Sequence, residues 1–338
     1  MKRLLFTLIT VFIFQSLIFG QKEATTADGK LVLLYDNGTW KYADSIPVYS
    51  TLTNDISKLE LPKTNTNDII INHSGYSLLY NEPHEQASWV AYELTKEETK
   101  KLYDRTDKFI PDPYVKTKTA NDDDYAGAGY DRGHLAPASD MGWSATAMAE
   151  SFYYSNMSPQ TASFNRGIWK KLEEQVRSWA IENEKVYVIT GPVLKSGLPF
   201  FGANKVSIPK YFYKVILDYT KPGIKGIGFI LPNTGSKIPL HSYAVSIDSV
   251  EKFTDIDFFP LLPDNQEEFI EKTLCFDCWN WKTNNSENNS NNYEEKLQTS
   301  VRCSGLTKAG GSCKNKTLNL SGYCYLHESQ QKRRLTQK

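Results

Sequence analysis

Asp131-Arg132-Gly133-His134, within YDRGHLAPASDM, brings together residue types that phosphate chemistry uses. An arginine and a histidine two positions apart lie on one side of an extended segment. The guanidinium can hold a phosphate through paired donors while a neutral imidazole, titrating near physiological pH, takes a proton. Further along, Asn165, Trp169, Glu173 and Arg177 are spaced by four. In a helix of 3.6 residues per turn each step of four rotates by about 40°, so Asn165, Glu173 and Arg177 share a broad polar flank. An amide oxygen, a carboxylate and a guanidinium in one row suit a hard divalent cation beside a phosphate. Each feature alone also has a bland reading. A lone histidine is more often structural, and a Glu173/Arg177 pair is what an ordinary solvated helix face carries. A third set, Cys303-x9-Cys313-x10-Cys324-x2-His327, offers four ligands of the kind that hold a tetrahedral Zn²⁺. Disulfide pairing is its alternative, but three cysteines cannot pair among themselves without leaving one over.

The elements that must position these residues can be read coarsely. Apolar Ile168, Trp169, Leu172, Val176, Trp179 and Ala180 recur at helical spacing and predict a helix over 163–184 with Ser163 as N-cap. Val186–Thr190, Tyr211–Leu217, Ile224–Leu231 and Ser242–Ile247 are rich in β-branched and aromatic residues and read as strands. Strands and helices do not alternate strictly, so the class is α+β rather than a doubly wound sheet. Ahead of this region, Leu31–Tyr35 and Thr39–Tyr42 flank Asp36-Asn37-Gly38, a hairpin pattern that defines a small module over 21–45. Residues 46–68 lack periodicity and read as a linker, and the main domain runs over 69–282. TNNSENNSNN at 283–292 cannot bury a core, so 283–300 is an Asn-rich linker. The Cys/His module over 301–328 and a basic tail over 329–338 follow. A module this small, with almost no apolar core, needs a metal or disulfides to fold. Cys275 and Cys278 are then left as a separate pair, either a tight disulfide or two thiols.

Taken together, the motifs resemble the DNA/RNA non-specific endonuclease family, the sugar-non-specific nucleases of the ββα-metal (His-Me finger) type. The resemblance rests on YDRGHLAP at 130–137, SNMSPQ at 155–160 and FNRGIWKKLEEQVR at 164–177. ASWVAYEL at 87–94, ITGPVL at 189–194, IPKYFYKVIL at 208–217 and FFPLLPD at 258–264 extend it over about residues 69–280. It implies a central antiparallel sheet flanked by helices. It also implies hydrolysis of DNA and RNA phosphodiesters to 5′-phosphate products, with a single Mg²⁺ for which Mn²⁺ can substitute. Carried over by position, His134 matches the general base, Asn165 the direct metal ligand, and Glu173 the carboxylate holding metal-bound waters. Arg132 and Arg177 match arginines around the scissile phosphate, and Arg105, in LYDRTDKFIPDP, is the best match for an upstream third. Family members often carry Thr-Gly before the FFP segment. Here the pair is Thr254-Asp255, which puts that turn in question. Nothing in this set reads a base edge, so recognition through the phosphate backbone predicts little sequence preference.

Composition narrows the rest. The chain has 338 residues, and its 39 Lys+Arg balance 39 Asp+Glu, so any anion-binding surface is local. One such place is 301–338, with eight Lys/Arg and one Glu, net +7. Five cysteines are too few for a disulfide framework. Lys2-Arg3 followed by apolar Leu4–Phe19 is the pattern of a secretory signal over 1–20, ending near Gly20. It is shorter than the about 20 apolar residues of a transmembrane anchor. A secreted or periplasmic protein without a stable membrane anchor is expected. Asp122-Asp123-Asp124 reads as a solvated loop. His73, His84 and His241 receive no catalytic role, and Trp143, Tyr153 and Tyr154 read as core packing rather than base-stacking platforms. Two rivals to an exported nuclease stay open: a catalytically silent nucleic-acid-binding protein, and a nuclease toxin delivered to other cells. Oligomeric state is not legible.

Overall fold

In the computed structural model the described residues are 22–25, 31–34, 40–42, 56–220, 223–281 and, near the C-terminus, 301–307, 310–314, 316–317 and 327. The signal-like segment 1–20, the Asn-rich linker 283–300, Cys324 and the basic tail 329–338 lie outside them. The chain divides into two units, residues 1–51 and 52–338. In the first, β1 (Lys22–Thr25), β2 (Leu31–Leu34) and β3 (Trp40–Tyr42) form an antiparallel sheet in that order. β2 and β3 are the hairpin read from the sequence, and β1 is an additional strand on its edge.

The second unit is built on a seven-stranded sheet. Its elements in chain order are β4 (Ile70–Asn72), β5 (Ser77–Asn81), β6 (Gln86–Thr95), α1 (Asp122–Tyr125), β7 (Asp131–His134), α2 (Ala145–Glu150) and β8 (Met157–Gln160). Then come α3 (Lys170–Glu182), β9 (Lys185–Pro192), β10 (Phe200–Phe201), β11 (Val206–Ser207), β12 (Tyr211–Asp218) and β13 (Lys225–Pro232). β14 (Ala244–Val245), α4 (Ile247–Thr254) and α5 (Asp264–Lys272) complete it, and β15 (Val301–Arg302) and β16 (Lys316–Thr317) pair near the C-terminus. The large sheet runs β14-β13-β12-β9-β6-β5-β4, antiparallel throughout.

Period-two alternation decides which helix covers which face. On β13, Ile227, Phe229 and Leu231 enter the main core with Trp169, Leu172, Val176 and Trp179 of the α3 region. The intervening positions face α4 and α5. At Gly228 a Cβ would meet Val250 at 2.5 Å, and at Gly226 it would meet Ile247 and Ile270 at 2.5 and 2.7 Å. The central strands are therefore apolar on both faces and read as near-continuous hydrophobic runs. Each fully buried side chain of the size of Phe229 contributes roughly 2–3 kcal/mol of transfer free energy.

Three local expectations change. Ser242–Ile247 is not one strand: a 3₁₀ turn over Leu240–Tyr243 and the two-residue β14 lead directly into α4. The Ser246 side chain accepts from the Ser249 backbone N–H, so this serine caps a helix where a strand was expected. The stretch expected as linker is, from residue 56, attached to the unit. Leu59 is fully buried, and Lys63 bonds the Asp257 backbone and carboxylate, each at 2.9 Å. At Thr254-Asp255, Asp255 takes φ 64°, the left-handed conformation that ends α4, and its N–H reaches Glu251 O at 2.7 Å. The aspartate thus performs the turn for which glycine is the usual residue. Cys275 and Cys278 form a disulfide.

Candidate active site

β7 and β8 pair antiparallel, with Asp131 opposite Gln160 and His134 opposite Met157. Gly133 is required here because a Cβ would come within 2.2 Å of the Gln160 side chain. Gln160 is fully buried, and its amide atoms have no hydrogen-bond partner among the described residues. Sequence reasoning missed it.

The His134 ring meets Phe152 edge-on at 4.8 Å and lies 5.9 Å from Phe109. Its Nε2 is buried without a hydrogen-bond partner among the described residues. Burial, then the nearby Arg105 charge, lowers the imidazole to about 3, so it is neutral at ordinary pH. The two arginines expected near it share its aromatic neighbours. Arg132 lies over Phe109 at 4.9 Å, and Arg105 over Phe152 at 5.1 Å. Arg132 Nε donates to the Tyr154 hydroxyl at 2.9 Å and Nη2 to Asp122 Oδ1 at 2.7 Å. Arg105 donates through Nε and Nη2 to Asp107 at 3.1 and 2.9 Å.

These contacts correct the reading of 122–124 as a solvated loop. Asn121 caps α1 through a full capping box. Asp122 holds Arg132, and Asp124 is buried with Asn204 donating to it through backbone and side chain at 3.0 and 2.7 Å. Local side-chain capping turns an acidic run into a helix start.

The helix expected over 163–184 begins as a π-helical turn, Phe164–Trp169, and continues as α3. Gly167 at φ −111°, ψ −109° breaks the register. Ser163 is itself helical and caps nothing. Its hydroxyl accepts from the Gly235 N–H at 3.1 Å. The break lies between Asn165 and the α3 residues Glu173 and Arg177, so the three do not sit on one regular helix. Asn165 Nδ2 donates to Asp131 Oδ2 at 2.9 Å, while Arg166 forks onto the same carboxylate at 2.9 and 2.7 Å. Burial would raise the Asp131 carboxyl, but donation from Arg166 and Asn165 outweighs it and holds it low. With its amide nitrogen committed, Asn165 keeps an oxygen that accepts from no protein donor among the described residues.

Glu173 and Arg177 do not form the solvated pair. Arg177 Nη1 donates to Asp140 Oδ1 at 2.7 Å, and the Tyr92 hydroxyl donates to Asp140 Oδ2 at 2.9 Å. Asp140 is fully buried. Lys214 of β12 is fully buried too, over the Trp169 ring at 4.8 Å, with Nζ making no hydrogen bond among the described residues. Burial raises the Glu173 carboxyl and lowers the Lys214 ammonium, while each opposes the other's shift. Two carboxylates and two cations thus share one low-dielectric region.

The predicted residues therefore fall into three linked groups. His134, Arg132 and Arg105 meet on Phe109 and Phe152. Asn165 is tied to β7 through Asp131. Glu173 and Arg177 meet at Asp140 and Lys214. Lys214 had a signal, a lone lysine inside YFYKVIL. The other histidines are engaged elsewhere: His73 Nε2 with Asp112 at 2.9 Å, His84 with Ser207 at 2.8 Å, and His241 against Phe276 and Trp281. Tyr154 and Trp143 pack in or against hydrophobic clusters, and the Tyr153 ring lies tilted against His73 at 5.1 Å. Of the C-terminal set, Cys303, Cys313 and His327 converge, their ligand atoms all within 4.8 Å of one another.

Comparison with known proteins agrees with this architecture. The profile of the family described as DNA/RNA non-specific endonuclease matches residues 52–265. A nuclease of Nostoc sp. is 31% identical over 68% of this chain and 87% of its own length. Human mitochondrial endonuclease G is 35% identical over 55% of this chain and 68% of its own. Mitochondrial nuclease EXOG of Xenopus laevis is 35% identical over 57% of this chain, which spans only 58% of that relative's length. The fold superposes on EndoG from the solved EndoG/EndoGI inhibitory complex with a TM-score of 0.57 at 31% identity, covering 62% of this chain and 91% of that one. With the β7–β8 hairpin, the Asn165 turn and the profile match all falling in one stretch, the chain belongs to the DNA/RNA non-specific endonuclease family.

Proposed function

We propose that the protein is an exported, Mg²⁺-dependent endonuclease that hydrolyses DNA and RNA without sequence preference. The observation that carries this reading is a neutral His134 held among Arg132, Arg105 and two aromatic rings. Water attacks the phosphorus, its proton passes to the unprotonated nitrogen of the His134 imidazole, and the P–O3′ bond breaks as the departing O3′ takes a proton from solvent water, to which the imidazolium then returns its own. The products are a 5′-phosphate and a 3′-hydroxyl. Lowering the imidazole by burial makes it a weak base in the free protein. An incoming phosphate brings negative charge beside it and favours the imidazolium. Arg132 and Arg105 are fixed by Asp122, Tyr154 and Asp107 but keep donors for phosphate oxygens.

The residues fit a hydrated Mg²⁺. Asn165 presents a neutral amide oxygen, and Glu173 is a carboxylate whose burial disfavours its charge until a cation approaches. When bound, the ion stabilises charge on the phosphoryl and leaving oxygens. Arg177 then acts through Asp140, positioned beside Glu173 rather than free to swing. Export is supported by the N-terminal pattern and by the Cys275–Cys278 disulfide, a bond that persists in oxidising compartments.

The test is cleavage of supercoiled plasmid and total RNA in Mg²⁺ and in EDTA. Wild type degrades both only with metal, and His134→Ala is slower by about 10²–10⁴-fold, as for a lost general base. Binding without cleavage in both Mg²⁺ and Mn²⁺, by wild type and variant alike, refutes the enzyme and leaves a binding protein.

A further inference from the structure

We infer that Cys303, Cys313 and His327 form a structural zinc site that folds the C-terminal module. The three residues are brought together by backbone geometry. β15 and β16 pair, and the same register continues inward: Leu306 bridges Ser312, and the Cys313 N–H reaches Gly305 O at 2.9 Å. The turn between them closes with Gly310 at φ 81° and bonds between Thr307 and Gly310 and Gly311. This hairpin sets Cys303 and Cys313 on facing strands, both buried.

The distances match a tetrahedral ion. With Zn–S of about 2.3 Å and Zn–N of about 2.0 Å, the sulfur-to-nitrogen edge of the tetrahedron is about 3.5 Å and the sulfur-to-sulfur edge about 3.8 Å. Cys303 Sγ and His327 Nδ1 are 3.5 Å apart, and all three ligand atoms lie within 4.8 Å. The Gly305 N–H donates to Cys303 Sγ at 3.3 Å, an arrangement that favours thiolate. Gly305 also admits the imidazole, since a Cβ there would lie 2.3 Å from His327 Cγ.

Energetics point the same way. Among the described residues the hydrophobic cluster of this module is Cys303 and Cys313 themselves, and Leu306 is 52% exposed. Burial of so little apolar surface cannot offset the entropy of ordering the chain. Disulfides do not fill the gap. The chain has five cysteines, Cys275 and Cys278 are bonded to each other, and three is an odd number. Cys324, the remaining member of the set, lies outside the described residues. The three ligands lie on none of the elements that carry His134, Asn165 or Glu173, so the ion is structural and has no part in phosphodiester chemistry.

The test uses the full mature chain carrying Asn165→Ala, which removes the ligand proposed for Mg²⁺. After dialysis against EDTA at low concentration, zinc is measured by mass spectrometry. About one zinc per chain is retained, and adding Cys303→Ala or His327→Ala lowers it below about a tenth. Replacement by Co²⁺ gives a thiolate-to-metal charge-transfer band that an oxygen-ligated ion cannot give. In an otherwise wild-type chain, Cys303→Ala leaves plasmid cleavage unchanged, which shows that the rest of the protein is folded. The proposal is overturned if protein purified in excess zinc retains none, with module cysteines as thiols or as disulfides. It is equally overturned if retained zinc is unaffected by Cys303→Ala.

Discussion

Asp140→Asn is the substitution that most directly probes the buried charges behind the active site. Asp140 is fully buried and accepts from Arg177 on one oxygen and from the Tyr92 hydroxyl on the other. Asparagine has the same shape but only one acceptor, so its NH₂ must face one of those two donors. The charge balance changes as well. Asp140 and Glu173 against Arg177 and Lys214 becomes one carboxylate against two cations. Removing one member of a buried pair and stranding the other costs about 3–5 kcal/mol. For a domain of this size that is a fall in Tm of roughly 6–20 °C. Trp89, Trp169 and Trp179 are fully buried, so intrinsic fluorescence in urea reports unfolding of this core. Adding Arg177→Met restores balance, leaving Glu173 with Lys214, and recovers at least half of the loss. The reasoning is refuted if Asp140→Asn costs less than about 1 kcal/mol, or if the double variant is no more stable than the single one.

Three further outcomes follow from the same geometry. His134 has a folded pKa of about 3 against about 6.5 unfolded, so its contribution is fully present above about 6.5 and is lost as pH falls toward about 3. Between pH 7 and 5 the wild type therefore loses about 2 kcal/mol more than His134→Gln in urea titrations, and equal losses would show that the imidazole is not buried as described. Gly133→Ala forces its new methyl onto Gln160 and costs about 1–3 kcal/mol by the same assay, with loss of plasmid cleavage; full activity would mean that Gln160 has room to move. Replacing both Cys275 and Cys278 by alanine opens a short loop worth about 2 kcal/mol in the chain-entropy model, without changing cleavage at a temperature where both forms are folded.

How much of this was legible depends on whether the information is local. β9, β12 and β13 could be read because they are apolar on both faces, and their observed ends lie within about two residues of the expected ones. The start of α4 could not, because Ser246 caps a helix inside a run whose composition suits a strand equally well. The DRGH motif could be singled out from residue types alone, and it forms β7. Around Asn165 the regular 3.6-residue helix of the expectation is replaced by a π-turn, which closes its bonds at i+5 and adds a residue to the turn. Gly167, with no Cβ to resist an unusual backbone, was the local sign of that break. The charge balance around Glu173 is the least local feature, for Tyr92, Asp140 and Lys214 come from separate parts of the chain. Even so, one of its members was announced. A lysine inside YFYKVIL cannot reach water from the middle of a two-sided buried strand, and an unpaired ammonium there is too costly to keep. Such a lysine demands an acid delivered by another element, and the acid on the adjoining helix, Glu173, is the one already suspected of chemistry. The buried base thus points to Glu173, on the adjoining helix, as the carboxylate whose charge balances its own.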